Sequence, residues 1–182
     1  IDYADTLSAD CDYSQLSRVY GQMAQIFYEQ GLYREQLESG RQSVMFAWRG
    51  KDTLAALMSF EQENEAYRNL NMPDSLLYIC EHVSQLYRKY GIPHYAARAL
   101  GYTLRALVHR KEFDKAKRYM QIYESESGYF DSLGNIQKGR EVYYRIKGLY
   151  FLHTNVLDSA AYYFRKELSN GKAFDNQHSG AL

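Results

Sequence analysis

Apolar residues recur at steps of three and four along most of this chain. Between Tyr13 and Gln30, Leu16, Val19, Tyr20, Met23, Ile26 and Phe27 fall on one stripe of a helix. Gly31 predicts the end of that helix, because glycine takes the left-handed conformation after a last turn without strain. A partner helix is expected from about Arg34 to Trp48, with Leu37, Val44, Ala47 and Trp48 inward. Arg49 to Thr53 breaks the pattern, with Asp52 or Thr53 as N-cap. Leu54, Leu57, Phe60 and Tyr67 then mark a third helix, and Leu76, Cys80, Val83 and Tyr87 a fourth, joined through Asn71-Met72-Pro73-Asp74. Gly91-Ile92-Pro93 is the clearest boundary, with glycine past one helix and proline opening the next. The third pair places Ala97, Leu100, Leu104 and Leu107 inward, then Ala116, Met120 and Tyr123. The fourth uses Tyr144, Gly148, Phe151 and Leu152, then Leu157, Ala160, Phe164 and Leu168, and ends at Asn170-Gly171. Nothing alternates with period two, so no sheet is expected.

One start signal repeats: an acidic residue in the first turn, followed by a small or apolar residue. It stands at Pro73-Asp74-Ser75-Leu76, Phe113-Asp114-Lys115-Ala116 and Leu157-Asp158-Ser159-Ala160, with a weaker version at Tyr33-Arg34-Glu35-Gln36. Its fourth residues are spaced by 40, 40 and 44 positions, and recurrence at such a period marks a repeat array. Ser125 to Gly128 and Ser132 to Asn135 interrupt the pattern and account for the longer last interval. The predicted fold is all-α, a right-handed α-solenoid of about four antiparallel helix hairpins over residues 13–49, 52–90, 93–128 and 134–170. Residues 1–12 are a lead-in, and 171–182 the start of a further helix. A hairpin of this kind buries its faces only against its neighbours. Both ends are therefore expected to expose apolar surface, and the chain to be a piece of a longer protein.

Charge and composition narrow the function. Lys and Arg together number 22, as do Asp and Glu, so the basic field that drives nucleic-acid binding is missing. Two prolines suit long helices. Nineteen tyrosines suit helix faces that are apolar inside and wet at the rim. Cys11 and Cys80 are far apart and read as a loop thiol and a buried helical one, without fixing the compartment. The longest apolar runs, such as Val44 to Trp48, fall far short of the roughly 20 residues of a membrane span.

Turns and small residues together resemble the tetratricopeptide repeat, over roughly residues 13–170. Gly31-Leu32-Tyr33, Lys111-Glu112-Phe113 and Asn155-Val156-Leu157 stand where that family turns between helices. Ala24, Gly148, Ala116 and Ala160 stand where its helices cross closely, with Gly148 opposite Ala160. Gln36, Asn64, Leu76 and Leu104 replace small residues, and the spacing exceeds the family's usual 34 residues. A HEAT-like array also fits the repeat length; the aromatic, turn and Ala/Gly placement favours the tetratricopeptide reading. Degenerate arrays of this kind resemble those of bacterial sensory and regulatory proteins. The resemblance implies a concave groove lined by the first helix of each pair. Its positions would be Arg18, Gln22, Gln25 and Glu29; Glu61, Gln62, Glu65 and Arg68; Arg98, Tyr102, Arg105 and His109; and Arg145, Leu149 and His153. Arg98, Arg105 and Arg145 are the candidates for a carboxylate, which guanidinium grips through paired bonds. The alternative is a solvated face with local pairs, such as Glu61 with Arg68 or Arg98. Where one subfamily clamps a two-carboxylate peptide end, this chain has Gly21, Gln25, Gln62, Arg98 and Tyr102, and only Arg98 suits the role.

Catalytic signals are absent from the sequence. His82, His94, His109, His153 and His178 include no pair at helical metal-site spacing. No nucleophile elbow or phosphate-cradling glycine loop occurs. The sequence thus predicts a non-catalytic module without metal or cofactor that binds a protein or peptide, with neither direct nucleic-acid contact nor a membrane span. The alternatives are a receptor for a small ligand and a structural homo-oligomer.

Overall fold

In the computed structural model, residues 12–178 are described, with side chains to Ser169. The chain is all-helical over this range: α1 (Tyr13–Glu29), α2 (Tyr33–Arg49), α3 (Thr53–Asn69), α4 (Pro73–Lys89), α5 (Pro93–Gly101), α6 (Leu104–His109), α7 (Phe113–Glu126), α8 (Val142–His153) and α9 (Leu157–His178). Antiparallel neighbours pack as hairpins, α1 on α2, α2 on α3, α5 and α6 on α7, and α8 on α9, and there is no strand among the described residues; one isolated bridge joins Phe130 and Ile136. Contacts divide the chain between Leu86 and Tyr87 into two compact units.

The first four helices are each 17 residues long. Six links between helices are one and the same turn. Its middle residue is left-handed at Gly31, Lys51, Asn71, Gly91, Lys111 and Asn155, with φ between 54° and 73°. The next residue's N–H returns to the carbonyl five positions back, from Leu32 to Phe27, Asp52 to Ala47, Met72 to Tyr67, Ile92 to Tyr87, Glu112 to Leu107 and Val156 to Phe151, at 2.8–3.0 Å. This is the Schellman closure of a helix C-terminus. Gly31 to Lys111 thus step by 20 residues, and the 40-residue period seen in the sequence is two such steps. Asp12 and Asp52 cap α1 and α3, accepting from Gln15 N–H at 3.0 Å and Ala55 N–H at 2.9 Å.

In the first unit, α1 packs on α2 and α2 on α3. Small residues permit this approach. Buried Ser17 and Ser43 each donate to the other's backbone carbonyl, at 3.0 and 2.8 Å, and Gly21 lies against Ser43. Ala24 is fully buried, as the repeat register expects. Gln36 and Asn64, at positions expected to be small, are also buried. Gln36 donates to the Gln62 carbonyl at 3.3 Å, and Asn64 accepts from the Cys80 thiol.

Several residues expected inward are not. Val19, Met23 and Ile26 on α1, Trp48 on α2 and Leu54 on α3 are exposed, as are Leu152, Leu157 and Leu168 near the other end. The core of α2 is instead partly polar: Gln36, Ser39 and Ser43 join Val44, Phe46 and Ala47. Periodicity locates a stripe but not its edges, and among the described residues α1 packs mainly on α2 and α3 and α9 mainly on α8.

The second unit departs from regularity at two places. Where one helix is expected from Ala97 to Leu107, α5 ends at Gly101 and α6 begins at Leu104. Thr103 turns the backbone there, its hydroxyl and N–H both reaching the Leu100 carbonyl, at 2.7 and 3.0 Å. The expected hairpin at 134–170 begins later, since α8 starts at Val142 after an ordered loop over 127–141. Asp131 organises the loop by accepting from the N–H groups of Leu133 and Asn135 at 3.0 and 2.7 Å. Helix α9 passes through Asn170-Gly171 rather than ending there, because isolated glycine costs a helix only about 1 kcal/mol. At the last hairpin, Gly148 faces the ring of Phe164, one turn beyond the expected Ala160, which is itself buried. Cys80 is a buried free thiol; Cys11 and the lead-in before Asp12 lie outside the described residues.

Candidate functional site

Proline fixes the start of α5 at Pro93, and the helical step then puts Tyr95 and Arg98 on one face. The Arg98 guanidinium lies over the Tyr95 ring at 5.0 Å and over the Tyr129 ring at 4.3 Å. Its Nε donates to the Ser127 carbonyl at 2.9 Å. Arg140, at the far end of the same loop, lies over Tyr129 at 4.2 Å. Two guanidiniums therefore share one tyrosine ring, and Tyr87 extends the stack by packing on Tyr95 at 5.4 Å. The Tyr129 N–H is fixed by the Ser127 hydroxyl at 3.2 Å.

Beneath this cradle Tyr123 of α7 meets Tyr129, Phe130 and Tyr143 at centroid distances of 5.1–6.0 Å. Gly101 makes room for it, since a β-carbon there would lie 2.4 Å from the Tyr123 ring. Burial pushes the Tyr123 hydroxyl up to about 12, while the charges of Arg140 and Arg98 pull the other way. Both cations thus act on one buried hydroxyl. Neither forms an ion pair among the described residues, whereas Arg41, Arg68, Arg88, Arg110 and Arg145 each pair with a glutamate. Positive charge held on aromatic faces without a carboxylate can accept an external anion by charge-assisted bonds.

The residues expected to line one groove take the following places. Arg98 and Tyr102 belong to the cradle region, Tyr102 as the C-cap of α5. Arg105 is exposed on α6, and His109 ends that helix, also exposed. Arg145 pairs with Glu167 of α9 at 2.6 Å. His153 stacks on Phe113 at 6.2 Å. No bond or ring contact joins Arg98, Arg105 and Arg145 among the described residues. Glu61, Glu65 and Arg68 lie in the first unit, where Arg68 pairs with Glu65 at 2.9 Å.

Arg140 escaped the sequence reading because the loop has no period to place it. Its only signal is the aromatic pair Tyr129-Phe130 inside an otherwise Gly- and Ser-rich break. Glu63 escaped for another reason, as it stands between two acidic neighbours, Glu61 and Glu65, in a polar run. Yet it falls three residues after Phe60 and four before Tyr67, on the inward stripe, and it is 5% exposed. Arg41 Nε lies 3.9 Å from its carboxylate and donates from a terminal nitrogen to the Tyr67 hydroxyl at 2.7 Å.

Among the described residues no group of three or more potential ligands could hold a metal ion, and no helix is long and apolar enough to cross a membrane. No protein-family model matches the chain, and no curated protein matches it in sequence.

Proposed function

We propose that this chain is a non-catalytic binding module of helical hairpins that takes an acidic segment of a protein or peptide against Arg98 and Arg140. The observation that carries the reading is the pair of guanidiniums on Tyr129 without a carboxylate partner among the described residues. Tyrosine faces hold the cations in place and leave the Arg98 terminal nitrogens and the Arg140 N–H groups for a ligand, so little side-chain entropy is lost on binding. The resemblance to degenerate tetratricopeptide arrays supports a sensory or scaffolding role within a larger bacterial regulatory protein. That part of the proposal rests on analogy of fold.

A fluorescein-labelled oligoglutamate peptide tests the cradle by fluorescence anisotropy. Replacing Arg98 and Arg140 together with alanine is expected to weaken binding by about tenfold or more and to flatten its salt dependence. The pair Arg105→Ala and Arg145→Ala is expected to leave it within about twofold. Equal losses from the two pairs, or unchanged affinity in the first, would overturn the assignment.

A further inference from the structure

We propose a second binding site in the same unit, a cleft between α7, α8 and the turn into α9 that takes a small aromatic carboxylate. The cleft has a volume of about 390 Å³, within the roughly 300–1,000 Å³ of small-molecule sites. Its walls differ in chemistry. Met120, Phe151 and Val156 supply apolar surface, and Lys117, Glu124 and Lys147 the charge.

The charges decide the ligand. Glu124 accepts from the Lys147 ammonium and from the Tyr143 hydroxyl, the latter at 2.6 Å. Burial pulls the Lys147 ammonium down, but its bonds to Glu124 and Tyr163 outweigh this and hold it above its ordinary range. Glu124 and Lys147 therefore cancel and are both occupied, so neither invites a second ion of either sign. Lys117 is exposed and makes no ion pair among the described residues. The cleft keeps one net positive charge at its edge, over a floor of thioether and aromatic carbon. A single anionic group on a flat apolar body satisfies both features. A cation would meet Lys117 and find its one carboxylate already taken. Arg98, Arg140 and Tyr129 make none of these contacts, so either site can fail without the other.

Naphthoate and its neutral isostere naphthamide are the probes, followed through the Met120 and Val156 methyl signals by NMR on the intact chain. Naphthoate is expected to shift both methyls and to bind about tenfold more tightly than naphthamide. Lys117→Glu is expected to remove that preference while leaving naphthamide binding unchanged. Val156→Trp, at an exposed position, is expected to block both probes; if it does not fold, Lys117→Glu decides alone. Equal affinity of the two probes, shifts confined to other methyls, or a preference that survives Lys117→Glu would each overturn the proposal.

Discussion

Glu63 lies on the packed face of α3, where desolvation penalises its charged form and pushes its carboxyl up to about 7; Arg41 offsets only part of this. Because the folded value lies above the unfolded one, the folded state holds the extra proton between roughly pH 4.5 and 7. The resulting stability is complete below that window and is lost as pH rises through it, on the order of 3 kcal/mol in all. Glu63→Gln keeps the shape without the titration. Its stability in urea is expected to stay nearly level from pH 5 to 7.5, while the parent loses stability over that range; parallel curves would mean that Glu63 does not titrate there. Gly101 makes a second residue-scale test. A methyl group at this position meets the Tyr123 ring at 2.4 Å, and that ring is hemmed in by Tyr129, Phe130 and Tyr143. Gly101→Ala is expected to cost about 1–3 kcal/mol by overpacking, measured by denaturant unfolding. Glu63 was legible in principle from its place in the stripe. Tyr123 against Gly101 was not, since no local rule says which ring will fill a glycine's space.

The unit of construction is a helix and its closing turn rather than the hairpin. Gly31 and Gly91 take the left-handed turn position freely, and Asn71 and Asn155 tolerate it, but Lys51 and Lys111 sit there at φ 58° and 59° against their steric preference. Lys51→Gly and Lys111→Gly are each expected to raise stability by about 0.5–1 kcal/mol, and Gly31→Ala to lower it by a similar amount, in thermal unfolding. A destabilised Lys51→Gly would show that the lysine stem contributes packing that outweighs its strain. The start signals at residues 33, 73, 113 and 157 fall on the first residues of α2, α4, α7 and α9. Helix starts were legible because acidic residues and caps act within one turn. Breaks inside the second unit were less so. Thr103 and Gly101 divide an expected helix, and the loop over 127–141 replaces the ends of α7 and α8, because the bonds that hold these breaks, from the Thr103 hydroxyl to the Leu100 carbonyl and from the Leu133 and Asn135 N–H groups to Asp131, follow no helical period.

At the scale of the molecule, protection is expected to follow packing. Ser17 and Ala24 are the buried residues of α1, whereas α3 buries seven, including Leu57, Phe60 and Tyr67. Native-state amide exchange is expected to be fastest in α1 within the first unit and in α9 within the second, and slowest in α3 and α7. Uniform protection within each unit would show that it opens only as a whole. The two sites belong to this scale as well. Arg98 and Arg140 are 42 positions apart, and what unites them is a loop that lays Tyr129 against both guanidiniums. By itself the sequence determined the all-helical class, the repeat spacing and most helix starts, because these follow from apolar periodicity and from hydrogen bonds spanning a turn. Only the tertiary structure decided which arginine is paired, which glutamate is buried and which charges face a cleft. Those outcomes depend on distances between residues far apart in the chain, to which no periodicity is sensitive.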